Sequence, residues 1–159
     1  MKVLKFGGTS VGSIVNIKNV KNIINDGELK VVVLSAMSGT TNTLVSIAKD
    51  IENRELNNAI DTIQKLHEQY IVVVDGLLTN QSLNTATKEY VASVFDFLIE
   101  STSKVFSKNL ENAILAQGEL LSTFMFNCYL QQEGINSVLL PALDFMRIDK
   151  FKEPDLPYI

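Results

Sequence analysis

The chain has 159 residues, of which 46% are hydrophobic and 20% charged, and this is typical of a single soluble globular domain. Its formal net charge is -4, and its lysines and arginines are scattered along the sequence, so we expect no nucleic-acid partner. A single cysteine excludes an internal disulfide, and no apolar run approaches the roughly 18 residues of a membrane helix, so the sequence predicts a cytoplasmic protein with no membrane partner.

The first predicted element is a short apolar strand over residues 3–6 that leads into a glycine-rich turn over residues 7–12. Two adjacent glycines let the backbone expose its N–H groups, and a helix predicted to begin near Ser13 adds its positive N-terminal end. Lys5 precedes the turn and places an ammonium group beside it. The turn therefore predicts phosphate binding, although a glycine pair also makes an ordinary tight connection between a strand and a helix.

Two other phosphate-binding motifs are tested by their spacing. A Walker A loop follows the pattern G-x-x-x-x-G-K-[ST], and Gly7 and Gly12 have the required separation, but Ser13 stands where the lysine is needed. A dinucleotide fingerprint requires G-x-G-x-x-G and an acidic residue after the next strand, where this chain has Ser35. Neither motif fits the sequence.

A second turn follows a second predicted strand. Residues 14–24 have helical spacing with Gly27 as a predicted glycine cap, and residues 30–34 form an apolar, β-branched run typical of a parallel strand buried on both faces. Residues 35–42 are mostly small or hydroxyl-bearing and precede a helix predicted from Leu44 to about Ile51. Because ligands bind at the carboxyl ends of parallel strands, we expect both turns to face one cleft, although each hydroxyl is also a common helix cap.

The middle of the chain is predicted to be a helical insertion over about residues 52–108. Helical stripes cover residues 56–78 and 85–106, and the run 71–74 is also compatible with a strand by its β propensity. His67, the only histidine, is predicted to lie on a solvated helix surface, because no second histidine or cysteine pair accompanies it.

A further helix is predicted to begin at residues 116–123 and to end at Gly134. Glu119 would then lie in its first turn, where a carboxylate either caps the helix or binds the ammonium group of a ligand. Residues 137–140 are predicted to form a third strand. The predicted fold class is α/β, a three-layer α/β/α sandwich with a mainly parallel sheet.

Three separated stretches together resemble one family. KFGGTSVG at residues 5–12, VVVLSAMSGTTNTL at 31–44 and QGELLST at 117–123 are similar to the N-terminal part of the catalytic domain of aspartate kinases, members of the amino-acid-kinase superfamily. The resemblance implies a truncated carbamate-kinase-like fold, with residues 1–159 as the N-terminal portion of the domain. The C-terminal nucleotide-binding half and the regulatory domains of the family are then expected to be absent.

The resemblance also implies a reaction and a set of site residues. The family transfers the γ-phosphate of ATP, with Mg²⁺, to the β-carboxylate of L-aspartate, which gives 4-phospho-L-aspartate for lysine, threonine and methionine biosynthesis. Lys5 matches the catalytic lysine, whereas Ser35, Thr41 and Glu119 match positions that bind aspartate; no residue is assigned to a metal. The stretch that matches the phosphate- and ATP-binding positions comprises Lys5, Phe6, Gly7, Gly8, Thr9 and Ser10.

Two alternatives to this function stay open from the sequence. In the first, the isolated chain binds phosphate or aspartate without turnover, because the missing nucleotide half is required for transfer. In the second, the parent enzyme is another amino-acid kinase with a different acceptor. We also expect a homo-oligomer, because a sheet that ends after its third strand leaves an unpaired edge and bare apolar surface.

Overall fold

The computed structural model describes residues 1–147 and 153–155. Its two strands form a small sheet, and its helices lie mostly between the second strand and the end of the described chain. The elements in chain order are β1 (Lys2–Phe6), a 3₁₀ turn (Gly8–Val11), α1 (Ile14–Ile24), β2 (Lys30–Leu34), α2 (Thr40–Glu52), α3 (Leu56–Leu77), α4 (Gln81–Ser101), α5 (Lys108–Gln132) and α6 (Ala142–Phe145).

The two strands pair in parallel, with a register that runs from Lys2 opposite Lys30 to Phe6 opposite Leu34. The predicted strand–helix–strand unit is therefore confirmed. One face of the sheet packs on the core, but Val31 and Val33 on the other face are 37% and 46% exposed. The prediction that β2 is buried on both faces is wrong for the described residues, because this second face is partly open to solvent.

The predicted third strand over residues 137–140 does not form. This segment has no regular secondary structure, and the described sheet contains only β1 and β2. Val138 and Leu140 are 80% and 66% exposed. Apolar, β-branched residues favour an extended chain, but a strand also needs a neighbour to hydrogen-bond, and the described residues offer none at this position.

Helix α1 begins as predicted and ends without a glycine cap. The Ser13 side chain accepts a hydrogen bond from the Asn16 backbone N–H at 3.2 Å, which satisfies one of the free donors at the start of the helix. Asn25 is the C-terminal cap, and Gly27 follows with φ +81 in the turn that leads to β2. Gly27 therefore makes the turn and does not cap the helix.

The core of the described chain lies among helices α2 to α5. Each of these helices packs on the next, and α2 also packs on α5, so the four helices close around one apolar interior. Residues 71–74 belong to α3, which confirms the helix over the alternative strand. The position of these helices as an insertion in a larger domain stays a prediction. The fully buried side chains at this interior include Leu44, Ile47, Ile51, Ile63, Tyr70, Leu77, Leu98, Ile114, Leu121 and Met125.

The prediction that His67 lies on a solvated surface is wrong. Its ring is partly buried and stacks on Phe95 with 4.6 Å between the ring centroids. The Nε2 atom is buried without a hydrogen-bond partner among the described residues. The apolar stripe of α3 is wide enough for α4 to cover the histidine, which its charged neighbours in sequence do not reveal. Cys128, the single cysteine, is 5% exposed and lies in the core.

Helix α5 begins much earlier than predicted. Its N-cap is Ser107, whose side chain accepts from the Leu110 N–H at 3.2 Å, so Glu119 lies in the middle of the helix and not in its first turn. The predicted end is confirmed. Gly134, at φ +72, donates to the Gln131 carbonyl at 3.1 Å and Ile135 donates to Leu130 at 2.9 Å, a common way to finish a helix.

Candidate functional site

The turn after β1 presents free hydrogen-bond donors. Within the described part of the chain, no acceptor is bonded to the backbone N–H groups of Gly8 and Thr9, at the start of the 3₁₀ turn. The turn is held in place from behind, because the Asn16 side-chain amide donates to the Thr9 carbonyl at 2.8 Å. Free N–H groups on a fixed backbone are a suitable arrangement for an anion such as a phosphate.

The Lys5 ammonium lies over this turn. Its Nζ is 3.8 Å from the position that a Cβ atom would take at Gly7. The other two lysines of the strands, Lys2 and Lys30, form ion pairs with Glu28 and Asp26. No described carboxylate forms an ion pair with Lys5, so its positive charge is available to a ligand.

Three more of the predicted phosphate-site residues border one cavity. Phe6, Thr9 and Ser10 line a space of about 340 Å³ between the turn and helix α1. Phe6 is also partly buried and packs against the core. The Phe6 ring therefore joins the turn to the core, whereas the Thr9 side chain is exposed to solvent.

The second turn begins after β2 and ends at helix α2. This helix begins at Thr40, inside the predicted turn, because Gly39 takes a left-handed conformation with φ +86 and serves as its N-cap. Thr41 is exposed in the first turn of the helix. In the described structure the backbone N–H groups of Thr41 and Asn42 have no acceptor, so this helix start adds further donors and a positive dipole end.

The two turns pack directly against each other at the carboxyl ends of β1 and β2. A Cβ atom at Gly8 would lie 2.8 Å from the Ala36 carbonyl oxygen, and one at Gly12 would lie 2.7 Å from the Ser38 Cβ. Both distances are too short for real atoms. The glycines of the first turn are therefore required by the close approach of the second turn as well as by the shape of the loop.

Glu119 reaches the second turn from helix α5. Its Oε1 accepts a hydrogen bond from the Ala36 backbone N–H at 3.4 Å, and the side chain is otherwise exposed. One helical turn later, the Ser122 hydroxyl donates to the Ser35 carbonyl at 2.7 Å. Glu119 and the turn that contains Ser35 are thus in contact, although the helix-start position predicted for Glu119 was wrong.

Tyr70 supports the site from below, and nothing in its local sequence indicates this role. Its hydroxyl lies 3.0 Å from the Thr40 hydroxyl, so it fixes the first residue of α2, next to Thr41. Burial raises the pKa of Tyr70 to about 12; the bond to Thr40 opposes the rise, and the Glu119 charge adds to it. The phenol therefore stays protonated at neutral pH.

Gly118 lets helix α5 approach the second turn, and this contact is testable. A Cβ atom there would lie 2.7 Å from the Ala36 Cβ and 3.3 Å from the Thr40 Cγ2. Overpacking of this kind costs about 1–3 kcal/mol, and alanine regains about 1 kcal/mol of helix propensity. We expect Gly118→Ala to lower the free energy of unfolding by up to about 2 kcal/mol, measured by urea denaturation.

Gly76 supplies a matched control within helix α3. A Cβ atom there would meet only the end of the Ile14 side chain, which can rotate away, so the substitution leaves the helix propensity as the main effect. We expect Gly76→Ala to be neutral or slightly stabilising. Equal destabilisation by the two substitutions would show that the approach of α5 to Ala36 is not tight.

No group of three or more His, Cys, Asp or Glu side chains is placed to hold a metal ion within residues 1–147 and 153–155. Among the helices of those same residues, none combines the length and the apolar character needed to cross a membrane.

Comparison with known proteins identifies the family. The sequence profile described as "Amino acid kinase family" matches residues 1–156, so the chain belongs to the amino acid kinase family. Among curated proteins, it is 28% identical to lysine-sensitive aspartokinase 3 of Escherichia coli over 97% of this chain and 34% of that protein. It is 29% identical to chloroplastic aspartokinase 1 of Arabidopsis thaliana over 97% of this chain and 28% of that protein.

Solved structures give the same result for the fold. E. coli aspartokinase III in complex with lysine and aspartate superposes with a TM-score of 0.82 and 23% identity, over 99% of this chain and 36% of that one. The same enzyme in complex with aspartate and ADP gives a TM-score of 0.78 and 25% identity, over 99% and 35%. The α/β aspartokinase-like fold predicted from the sequence is confirmed. The chain spans about a third of the length of these relatives.

Proposed function

We propose that this chain carries the phosphate- and aspartate-binding residues of an aspartate kinase, which transfers the γ-phosphate of ATP to the β-carboxylate of L-aspartate. One observation supports this above all. An unpaired lysine over a turn with free N–H groups adjoins a second turn that contacts an exposed glutamate. The names of the relatives support the same activity.

Each group has a role in this proposal that follows from its charge. Lys5 and the N–H groups of Gly8 and Thr9 bind the transferred phosphate, as cation and neutral donors respectively. Ser35 and Thr41 contact the aspartate, and the exposed oxygen of Glu119 binds its ammonium group. A positive group for the phosphate and a negative group for the ammonium stand at neighbouring turns, which orients an acceptor that carries both charges.

The reaction needs no general base. The β-carboxylate of aspartate has an ordinary pKa of about 4 and is ionised at neutral pH. One of its oxygens attacks the γ-phosphorus, the bond from that phosphorus to the bridging oxygen of ADP breaks, and ADP leaves with the electron pair. The main difficulty is to bring two anions together, and the Lys5 ammonium and the N–H donors lower that repulsion.

The nucleotide would arrive with Mg²⁺. This ion is commonly ligated by substrate phosphates and water with one or two carboxylates, and it supplies further neutralisation of phosphate charge. The described residues fit such an ion only in part, since Glu119 is the one carboxylate shown at the two turns. We also propose that the enzyme is cytoplasmic, that residues 52–108 or so form a helical insertion, and that the protein is a homo-oligomer. Static light scattering measures the molar mass in solution and so tests the oligomer.

The experiment that tests the proposal measures the binding of L-aspartate first and the transfer of phosphate from ATP second. We expect L-aspartate to bind the chain in calorimetry, and succinate, which lacks the ammonium group, to bind at least about tenfold more weakly. With ATP and Mg²⁺ present, hydroxylamine should trap an acyl phosphate in step with ADP release. Equal binding of aspartate and succinate would contradict an aspartate site, and so would ADP release with no trapped product.

A second candidate function is binding without turnover. The groups shown at the two turns suit the phosphate and the acceptor, whereas the described residues show no cluster of three or more His, Cys, Asp or Glu side chains for a metal ion, and this favours a unit that binds without transfer. This alternative predicts aspartate binding as above with no aspartate-dependent ADP release. The calorimetric and kinetic measurements together distinguish the two functions.

A further inference from the structure

The peptide group between Ser35 and Ala36 is held from two sides by helix α5. Its carbonyl accepts from the Ser122 hydroxyl at 2.7 Å, and its N–H donates to Glu119 Oε1 at 3.4 Å. In a trans peptide these two groups point in opposite directions, so the two side chains fix the orientation of the peptide plane. Glu119 and Ser122 are three residues apart and therefore neighbours on one side of the helix.

The surroundings leave this peptide little freedom to move. Ser122 is 4% exposed and Ala36 is 3% exposed. Gly8 packs against the Ala36 carbonyl from the first turn, and Gly118 lies against the Ala36 methyl from α5. The peptide thus lies between the glycine turn after β1 and helix α5, which carries Glu119. A change in the orientation of this peptide would move the Ala36 N–H, which donates to Glu119 Oε1.

We infer that Ser122 is a positioning residue for Glu119. Its hydroxyl holds the Ser35 carbonyl, which turns the Ala36 N–H toward Glu119 Oε1; this bond occupies one carboxylate oxygen and leaves the other for the ligand. The role of that second oxygen toward aspartate rests on the proposed function. The hydroxyl also lies 3.1 Å from the Glu119 backbone carbonyl of its own helix, but its shorter bond is to Ser35. It touches no substrate in this arrangement, and the effect that we infer passes through the peptide and the carboxylate.

The direct test is amide hydrogen exchange of Ala36, measured by NMR on the full chain. We expect Ser122→Ala to raise the exchange rate of the Ala36 amide at least about fivefold, because the peptide loses one of its two anchors. Ser122→Thr keeps the hydroxyl and should restore slow exchange. Thr123→Ala is the matched control, since its hydroxyl donates only to the Glu119 and Leu120 carbonyls of its own helix, and exchange at Ala36 should not change.

A double-mutant cycle tests whether the effect of Ser122 on aspartate binding depends on Glu119. We expect Ser122→Ala to weaken L-aspartate binding about fivefold in the parent chain and to have no further effect in the Glu119→Gln background. ATP affinity should stay the same in both. An equal loss of aspartate affinity in both backgrounds, or an unchanged Ala36 exchange rate, would overturn the inference.

Failure of the proposed function gives a different result. A parent chain that binds no L-aspartate would contradict the aspartate site, whereas the exchange rates of Ala36 in the Ser122→Ala, Ser122→Thr and Thr123→Ala chains would still decide whether Ser122 holds the peptide. If Ser122→Ala does not fold, Ser122→Cys, with its weaker donor and similar size, should show an intermediate exchange rate. A rate equal to that of the parent would count against the inference.

Discussion

Replacement of Lys5 by alanine is expected to lower ATP affinity roughly 10- to 100-fold, which corresponds to the loss of one charged hydrogen bond of about 1.5–3 kcal/mol. The reason is the position of the ammonium, which lies over Gly7 and has no described carboxylate partner. Any aspartate-dependent ADP release should fall further, by about 100-fold or more, because the charge on the phosphate is neutralised most strongly during transfer. Calorimetry with ATP and a coupled ADP assay measure the two effects.

Lys2→Ala is the matched control for this prediction. Lys2 stands at the other end of the same strand, is exposed, and pairs with Glu28 at 2.6 Å. Its removal takes away the same formal charge, so it corrects for long-range electrostatic attraction of ATP. We expect little change in ATP affinity. A similar loss with Lys2→Ala and Lys5→Ala would mean that the Lys5 ammonium acts through net charge and not at the glycine turn.

The strand and the glycine turn that follows it were predictable because their signals are local. A strand, a glycine pair and a serine cap lie next to each other in the chain, and each acts on backbone conformation within a few residues. The parallel pairing of β1 with β2 also follows from a short strand–helix–strand unit. The long helices α3 and α4 were predictable from their apolar stripes, since periodicity over about 20 residues outweighs the β propensity of residues 71–74.

The start of α5 was not predictable in the same way. Gly118 interrupts the helical pattern, and a glycine inside a helix costs about 1 kcal/mol relative to alanine, so the sequence suggests a new helix there. The structure shows a different reason for the glycine, which is the close packing of α5 on Ala36. The signal for the true start is Ser107, which caps the helix, followed by the apolar residues Leu110 and Ile114 at helical spacing.

The supporting residues of the site depend on contacts between distant parts of the chain. Ser122 holds a carbonyl 87 positions away, and Tyr70 meets a hydroxyl 30 positions away. Ser122 could have been suspected, because it lies three residues after Glu119 and shares its side of the helix. Tyr70 gives no such signal. For residues 137–140 the sequence indicated a strand, but the described fold provides no neighbouring strand for it.

Replacement of Glu119 by glutamine is expected to weaken L-aspartate binding roughly 10- to 100-fold, because it removes one charge-assisted bond of about 1.5–3 kcal/mol to the ammonium group. Glutamine keeps the shape of the side chain and an oxygen that can still accept from the Ala36 N–H. The geometry of the second turn should therefore persist, and ATP affinity should not change. Calorimetry with L-aspartate, and with ATP as a second ligand, measures both expectations.

Succinate separates the charge effect from a general change in the site, since it has both carboxylates of aspartate and no ammonium group. We expect Glu119→Gln to leave succinate binding unchanged or to strengthen it, because a repelling carboxylate near an anionic ligand is removed. Glu111→Gln is the control on the same helix, where the carboxylate pairs with Lys108 at 2.5 Å. Unchanged aspartate affinity in Glu119→Gln, or an equal loss for both ligands, would show that Glu119 does not bind the ammonium group.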